Sequence, residues 1–259
     1  MSESPDYSLL DAAGLSSQIF FPRPDHSHAG PSAEDVTLDL GDGVGLGARF
    51  YRHRPESPTV LYWHGNGEVV GDHDEIAPMY AEAGANLFVA DFRGYGRSGG
   101  RPTFAKLVAD GPRGVRRMLE HLDSRGFGGT RYVMGRSLGS HPALEVAAQM
   151  AGEVAGVIIE SGASSIAGVA GRLGPNVDSA AVDALVAGHE AKIRSITMPA
   201  LILHGEWDEL IPLERAAWLY NQIGSTEKEL VTIPQAGHND ILWVGRLAYF
   251  EAIRRFVAS

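Results

Sequence analysis

Eight short runs rich in β-branched and apolar residues recur along the chain, and helix-length segments separate most of the later ones. The runs are VTLDL (36–40), GLGARFY (45–51), TVLYWH (59–64), NLFVAD (86–91), RYVMG (131–135), VAGVIIE (154–160), MPALILHG (198–205) and ELVTIP (229–234). Helical patterns fall at about 73–84, 104–125, 138–150, 213–223 and 240–257. Parallel strands need a long crossover, usually a helix, to return the chain to the same edge of the sheet. The alternation therefore predicts an α/β fold with a mostly parallel eight-stranded sheet and helices on both faces. The first two runs, joined by GDGV, read instead as an antiparallel hairpin.

At 259 residues the chain is long enough to bury a large core, and one α/β domain commonly reaches this size, so a single domain spanning 1–259 is expected. Two stretches depart from the rhythm. Residues 1–35, with FFPRP and HSHAGPS, are rich in Pro, Ser and His and read as an N-terminal extension packed loosely over the sheet. Residues 161–196 carry two short helical patterns, the second with Asp178 placed to cap it, and read as a small helical cap insertion. Val169, Leu173, Val182, Leu185 and Val186 give these helices an apolar face that must be buried.

A formal net charge of −10 repels phosphate backbones and anionic lipid, so neither nucleic acid nor a membrane surface is an expected partner. Cysteine is absent, which leaves no disulfide, thiolate metal site or cysteine nucleophile. No apolar run nears the ~20 residues of a membrane span. MSESPDYSLL lacks the basic start and apolar core of a secretory signal. The cytoplasm is the expected compartment. The clusters DHSH (25–28) and DHD (72–74) lack the spread of ligands that a closed metal site needs, so neither metal nor cofactor is expected.

Two strings fit G-x-S-x-G, the pattern of a nucleophile elbow: Gly135 to Gly139 around Ser137, and Gly96 to Gly100 around Ser98. Only Ser137 follows a strand-like run and precedes a good helix former. Ser98 lies in a Gly-rich stretch with Pro102 just beyond it, against a helix start. A serine hydroxyl needs a base to take its proton, and the base needs an orienting acid. Asp208, after the seventh run, and His238, after the eighth, sit where an open α/β sheet puts its ligands. Glu160 is the rival acid. His64 and His204 end strands and read as structural, whereas His141, one helical turn past Ser137, could face a pocket wall. The backbone amides of Leu138 and of Asn66 in HGNGE (64–68), with Gly67 next in line, are placed to donate to an oxyanion.

Taken in order, YWHGNGE, DFRGYGRSGG, GRSLGS, LILHGEWDELIP and AGHND closely resemble the α/β-hydrolase family, in particular its short-capped HGN-type serine hydrolases, which include esterases and protein depalmitoylases. The likeness runs from about Val36 to the C-terminus. It implies Ser137 as nucleophile, Asp208 as acid and His238 as base, with Arg93 structural. It further implies a serine hydrolase acting on small-molecule carboxylic esters or thioesters without a cofactor; because a cap insertion over 161–196 can roof a pocket but not enclose a long tunnel, short to medium acyl chains are expected. An amidase or peptidase would use the same machinery, and a non-catalytic hydrolase-fold binding protein is the alternative of another class.

Overall fold

The computed structural model describes residues 5–12, 14–162, 165–173 and 177–258. Eight strands form one sheet: β1 (Ala33–Asp39), β2 (Gly45–Tyr51), β3 (Thr59–Trp63), β4 (Asn86–Ala90), β5 (Arg131–Arg136), β6 (Gly156–Glu160), β7 (Ala200–Gly205) and β8 (Lys228–Ile233). Their spatial order is β1-β2-β4-β3-β5-β6-β7-β8. The hairpin of β1 and β2 is antiparallel, as is the β2–β4 pair, and every pairing from β4 to β8 is parallel. Strands β3, β4 and β6 are buried along their whole length, and β5 beyond Arg131, which is why they read as nearly continuous apolar runs, whereas the edge strands β1 and β8 are partly exposed.

The helices are α1 (Ser8–Ala12), α2 (Ser16–Ile19), α3 (Ala77–Glu82), α4 (Phe104–Ser124), α5 (Ser140–Gln149), α6 (Ala167–Ala170), α7 (Ser179–Ser195), α8 (Leu213–Gln222), α9 (Ile241–Val244) and α10 (Arg246–Val257). One apolar core lies between the sheet and a layer that includes α4, α5 and α8; a second lies on the opposite face beneath α3, α9 and α10. Asp178 caps α7 by accepting from the Ala180 amide at 3.0 Å.

The N-terminal segment corrects the expectation of loose packing. Tyr7, Leu10 and Leu15 are buried in a third cluster with Phe104, Val108, Ile166 and Leu185, joining this segment to α4 and α7. Of the apolar residues expected to form a face in 161–196, Val169, Leu173, Leu185 and Val186 find cover on α4 and on the N-terminal segment; residues 163–164 and 174–176 lie outside the described residues. Asp11 accepts from the amides of Phe104 and Ala105 at 2.6 and 3.1 Å, supplementing the local cap Thr103 at the start of α4. Tyr7 donates to or accepts from His189 Nδ1 at 2.8 Å and accepts from Lys192 at 2.7 Å, and Lys192 is also paired with Glu145.

Burial holds the imidazoles of His73, His141 and His204 below the ordinary histidine value. The unfolded chain protonates them below about pH 6.5 while the fold does not, so unfolding takes up protons and stability falls as the pH drops. His64 opposes burial through Asp91 and is raised, but its contribution is already complete at its unfolded value. The slope can reach at most about 1.4 kcal/mol per pH unit for each depressed histidine. Melting temperatures recorded from pH 7 to 5 should therefore fall, and His141→Phe should flatten the decline; a Tm that holds steady would contradict these assignments.

Candidate active site

Because β3, β5, β7 and β8 are parallel, the segments that follow them emerge at one edge of the sheet. Ser137 directly follows β5 at φ +49°, in the left-handed region that costs a serine on the order of 1–2 kcal/mol. The turn is held by Ser140 Oγ, which donates to the Ser137 carbonyl at 2.6 Å. A Cβ at Gly135 would collide with the Gly139 carbonyl oxygen, and one at Gly139 with the Trp63 carbonyl oxygen. Both glycines of the motif are therefore steric requirements of this elbow.

The turn brings Ser137 Oγ to 3.0 Å from His238 Nε2, and His238 Nδ1 lies 2.7 Å from Asp208 Oδ2. Asp208 and His238 are buried while Ser137 is partly exposed. The other oxygen of Asp208 accepts from the amides of Leu210 and Ile211 at 3.0 and 2.8 Å. Burial pushes this carboxyl up, but the bonds from His238 and the Ile211 amide outweigh it and hold it below the usual carboxylate range. An ionised Asp208 accepts the Nδ1 proton, which leaves Nε2 free to accept from Ser137, the tautomer that a general base needs.

The rivals lie elsewhere. Ser98 Oγ accepts from the Gly47 amide at 2.8 Å, tying its loop to β2. Glu160 is fully buried, accepts from Tyr249 Oη at 2.7 Å and pairs with Arg136 at 3.1 Å; burial keeps its carboxyl above the usual range despite that cation. His141 faces no open pocket wall: it is buried edge-on against Phe104, beside His189. His64 bonds to the Gly65 carbonyl and Asp91, and His204 to the Ile211 carbonyl. A recess of about 700 Å³ lies between β2 and α3, and none of its lining residues belongs to the Ser137 cluster.

The amides of Asn66 and Leu138 donate to no described residue. The Asn66 side chain, by contrast, is fully engaged: its amide group donates to the Ile19 carbonyl, and its oxygen accepts from the Phe21 amide at 3.1 Å and Tyr95 Oη at 2.6 Å. Arg23 Nε donates to the Gly67 carbonyl at 2.6 Å. The N-terminal segment thus clamps the HGNGE loop, a role that no motif in residues 1–35 announces. Arg136, inside the elbow motif, is the second element not anticipated. It pairs with Glu68 and Glu160 and donates to the His238 carbonyl at 2.8 Å and to Asn239 Oδ1 at 3.0 Å. One buried guanidinium therefore ties together the elbow, the HGNGE loop and the His238 loop; the only trace in the sequence is a charge set at the end of an apolar run.

A mostly parallel sheet that gathers a strained serine, a histidine and an aspartate at its C-terminal strand ends defines the α/β-hydrolase class. The chain belongs to the family described as serine aminopeptidase S33, which matches residues 54–183 and 180–242, and it is a hydrolase of that fold. Among its relatives, protein bem46 of Schizosaccharomyces pombe is 31% identical over 212 residues, covering 79% of this chain and 69% of that protein. The uncharacterized protein YfhR of Escherichia coli is 30% identical over 235 residues, covering 85% and 80%. The esterase Pf2001 of Pyrococcus furiosus shares the fold with a TM-score of 0.72 at 18% identity, covering 92% of this chain and 98% of that one. Est1E of Butyrivibrio proteoclasticus, solved with ferulic acid bound, does so with a TM-score of 0.69 at 21% identity, covering 86% and 100%. Among the described residues no helix is long and apolar enough to cross a membrane.

Proposed function

We propose that the protein is a serine hydrolase that cleaves carboxylic esters or thioesters of short to medium acyl chains through an acyl-enzyme, without a cofactor. The observation that carries this reading is the 3.0 Å contact of Ser137 Oγ with His238 Nε2, backed by the 2.7 Å contact of Nδ1 with Asp208. Ser137 attacks the carbonyl carbon as His238 takes its proton, and the Asn66 and Leu138 amides stabilise the tetrahedral oxyanion. His238 then gives the proton to the departing alcohol or thiol, and water repeats the sequence to release the acid. The esterase descriptions of Pf2001 and Est1E are in keeping with this substrate class. The cysteine-free chain with its acidic balance is in keeping with a cytoplasmic location and a small-molecule substrate.

Residues 161–196 act as the cap that limits acyl length. Each methylene that finds apolar wall gains about 0.8 kcal/mol at most, and the gain stops where the wall ends. Across a p-nitrophenyl ester series, kcat/KM should rise and then fall, peaking at or below about eight carbons on that reasoning. Rates that climb through palmitoyl would reject the short cap. Because the family description names an aminopeptidase, aminoacyl p-nitroanilides are the control series; turnover of these and not of the esters would transfer the mechanism to amides.

A further inference from the structure

A groove of about 230 Å³ runs between α6 and the loop after β7, lined by Val169, Arg172, Leu210, Ile211, Pro212 and Arg215 among others. Its volume is below the ~300–1,000 Å³ of a pocket for a whole drug-sized ligand, so it fits part of a substrate. One wall belongs to the segment that holds the acid of the triad, since the Leu210 and Ile211 amides are the donors to Asp208 Oδ1. The opposite wall, at Val169 and Arg172, belongs to residues 161–196. The groove is thus bordered by the loop that holds Asp208 on one side and by Val169 and Arg172 on the other.

The two guanidiniums distinguish this groove. Neither Arg172 nor Arg215 forms an ion pair with a described residue, although the chain has 32 acidic residues against 22 Lys and Arg. By contrast, Arg23 is matched with Asp72, Arg93 with Asp42 and Asp110, and Arg136 with Glu68 and Glu160. Glu209 and Glu214, which lie closest in sequence to the Arg215 wall, pair with neither. Two unmatched guanidinium forks over an apolar floor suit a bidentate oxyanion such as a carboxylate or phosphate.

We propose that this groove is an anion subsite, so that the preferred substrates are esters or thioesters whose short acyl chain ends in a carboxylate or phosphate. This rests on the hydrolase reading above. The test compares p-nitrophenyl hexanoate with mono-p-nitrophenyl adipate, which has the same chain length but ends in a carboxylate. The wild-type protein should favour the adipate ester by about tenfold or more in kcat/KM, in line with charge-assisted bonding. The double variant Arg172→Gln, Arg215→Gln should bring the ratio of the two esters down to about one, and added salt should shrink it in the wild type. Competition by free adipate and by butyl phosphate, read in parallel, tells which anion the groove takes. A wild-type ratio at or below one, or a ratio that the double variant leaves intact, overturns the subsite. If neither ester is turned over and fluorophosphonate fails to label Ser137, the hydrolase reading fails by itself. Calorimetric binding of adipate or butyl phosphate that the double variant abolishes then still supports the groove, and no binding of either overturns it.

Discussion

Replacing Ser137 with alanine is expected to lower kcat by up to about a million-fold, the scale seen when a triad nucleophile is deleted elsewhere. The loss is this large because the side chain supplies both the atom that attacks and the proton that His238 receives, and no second hydroxyl stands in its place. Ser98 fits the same string, but its Oγ accepts from the Gly47 amide of β2. Ser98→Ala should leave turnover within a few-fold. A fluorophosphonate should label the native protein on Ser137, as located by peptide mass spectrometry, and labelling should vanish on heat unfolding. A label on Ser98, or an Ser137→Ala protein with near-normal turnover, would end the assignment.

Asp208→Asn is the second large effect, on the order of 10⁴ in kcat. An asparagine preserves the shape of the site, but its amide can turn a donor toward His238 Nδ1. The imidazole then carries its proton on Nε2, where it cannot accept from Ser137. The two backbone amides on the other carboxylate oxygen keep the side chain in position, so the fold should survive and KM should move far less than kcat. Glu160→Gln should cost much less, because Glu160 meets Arg136 and Tyr249 and reaches the chemistry only through them. Steady-state rates of the two variants, compared with their melting temperatures, separate the roles; a greater kcat loss for Glu160→Gln than for Asp208→Asn would show the acid to be misassigned.

The strands were legible because buried parallel strands leave continuous β-branched runs, and their ends are where the structure departs by a few residues: β1 starts at Ala33 and β7 at Ala200. The meeting of Ser137, His238 and Asp208 was legible because each residue follows a strand and parallel pairing delivers all three to one edge. Position along the chain could not show His141 turned inward onto Phe104, since which face of α5 is covered depends on α4 and α7. Nor could it show the anchoring of Tyr7, Ile19, Phe21 and Arg23. The bonds from Ile19 and Phe21 to Asn66 run through backbone groups, which every residue carries, and so leave no compositional or periodic mark.

That anchoring sets an order of assembly. The elbow can form from a contiguous strand, turn and helix, whereas the orientation of the Asn66 peptide depends on a segment some 45 residues upstream. Tyr7 in turn finds His189 and Lys192 at separations of 182 and 185 residues, so the N-terminal end of the clamp is among the most non-local contacts in the chain. Contacts of such span form late, because the chain between them must first be organised.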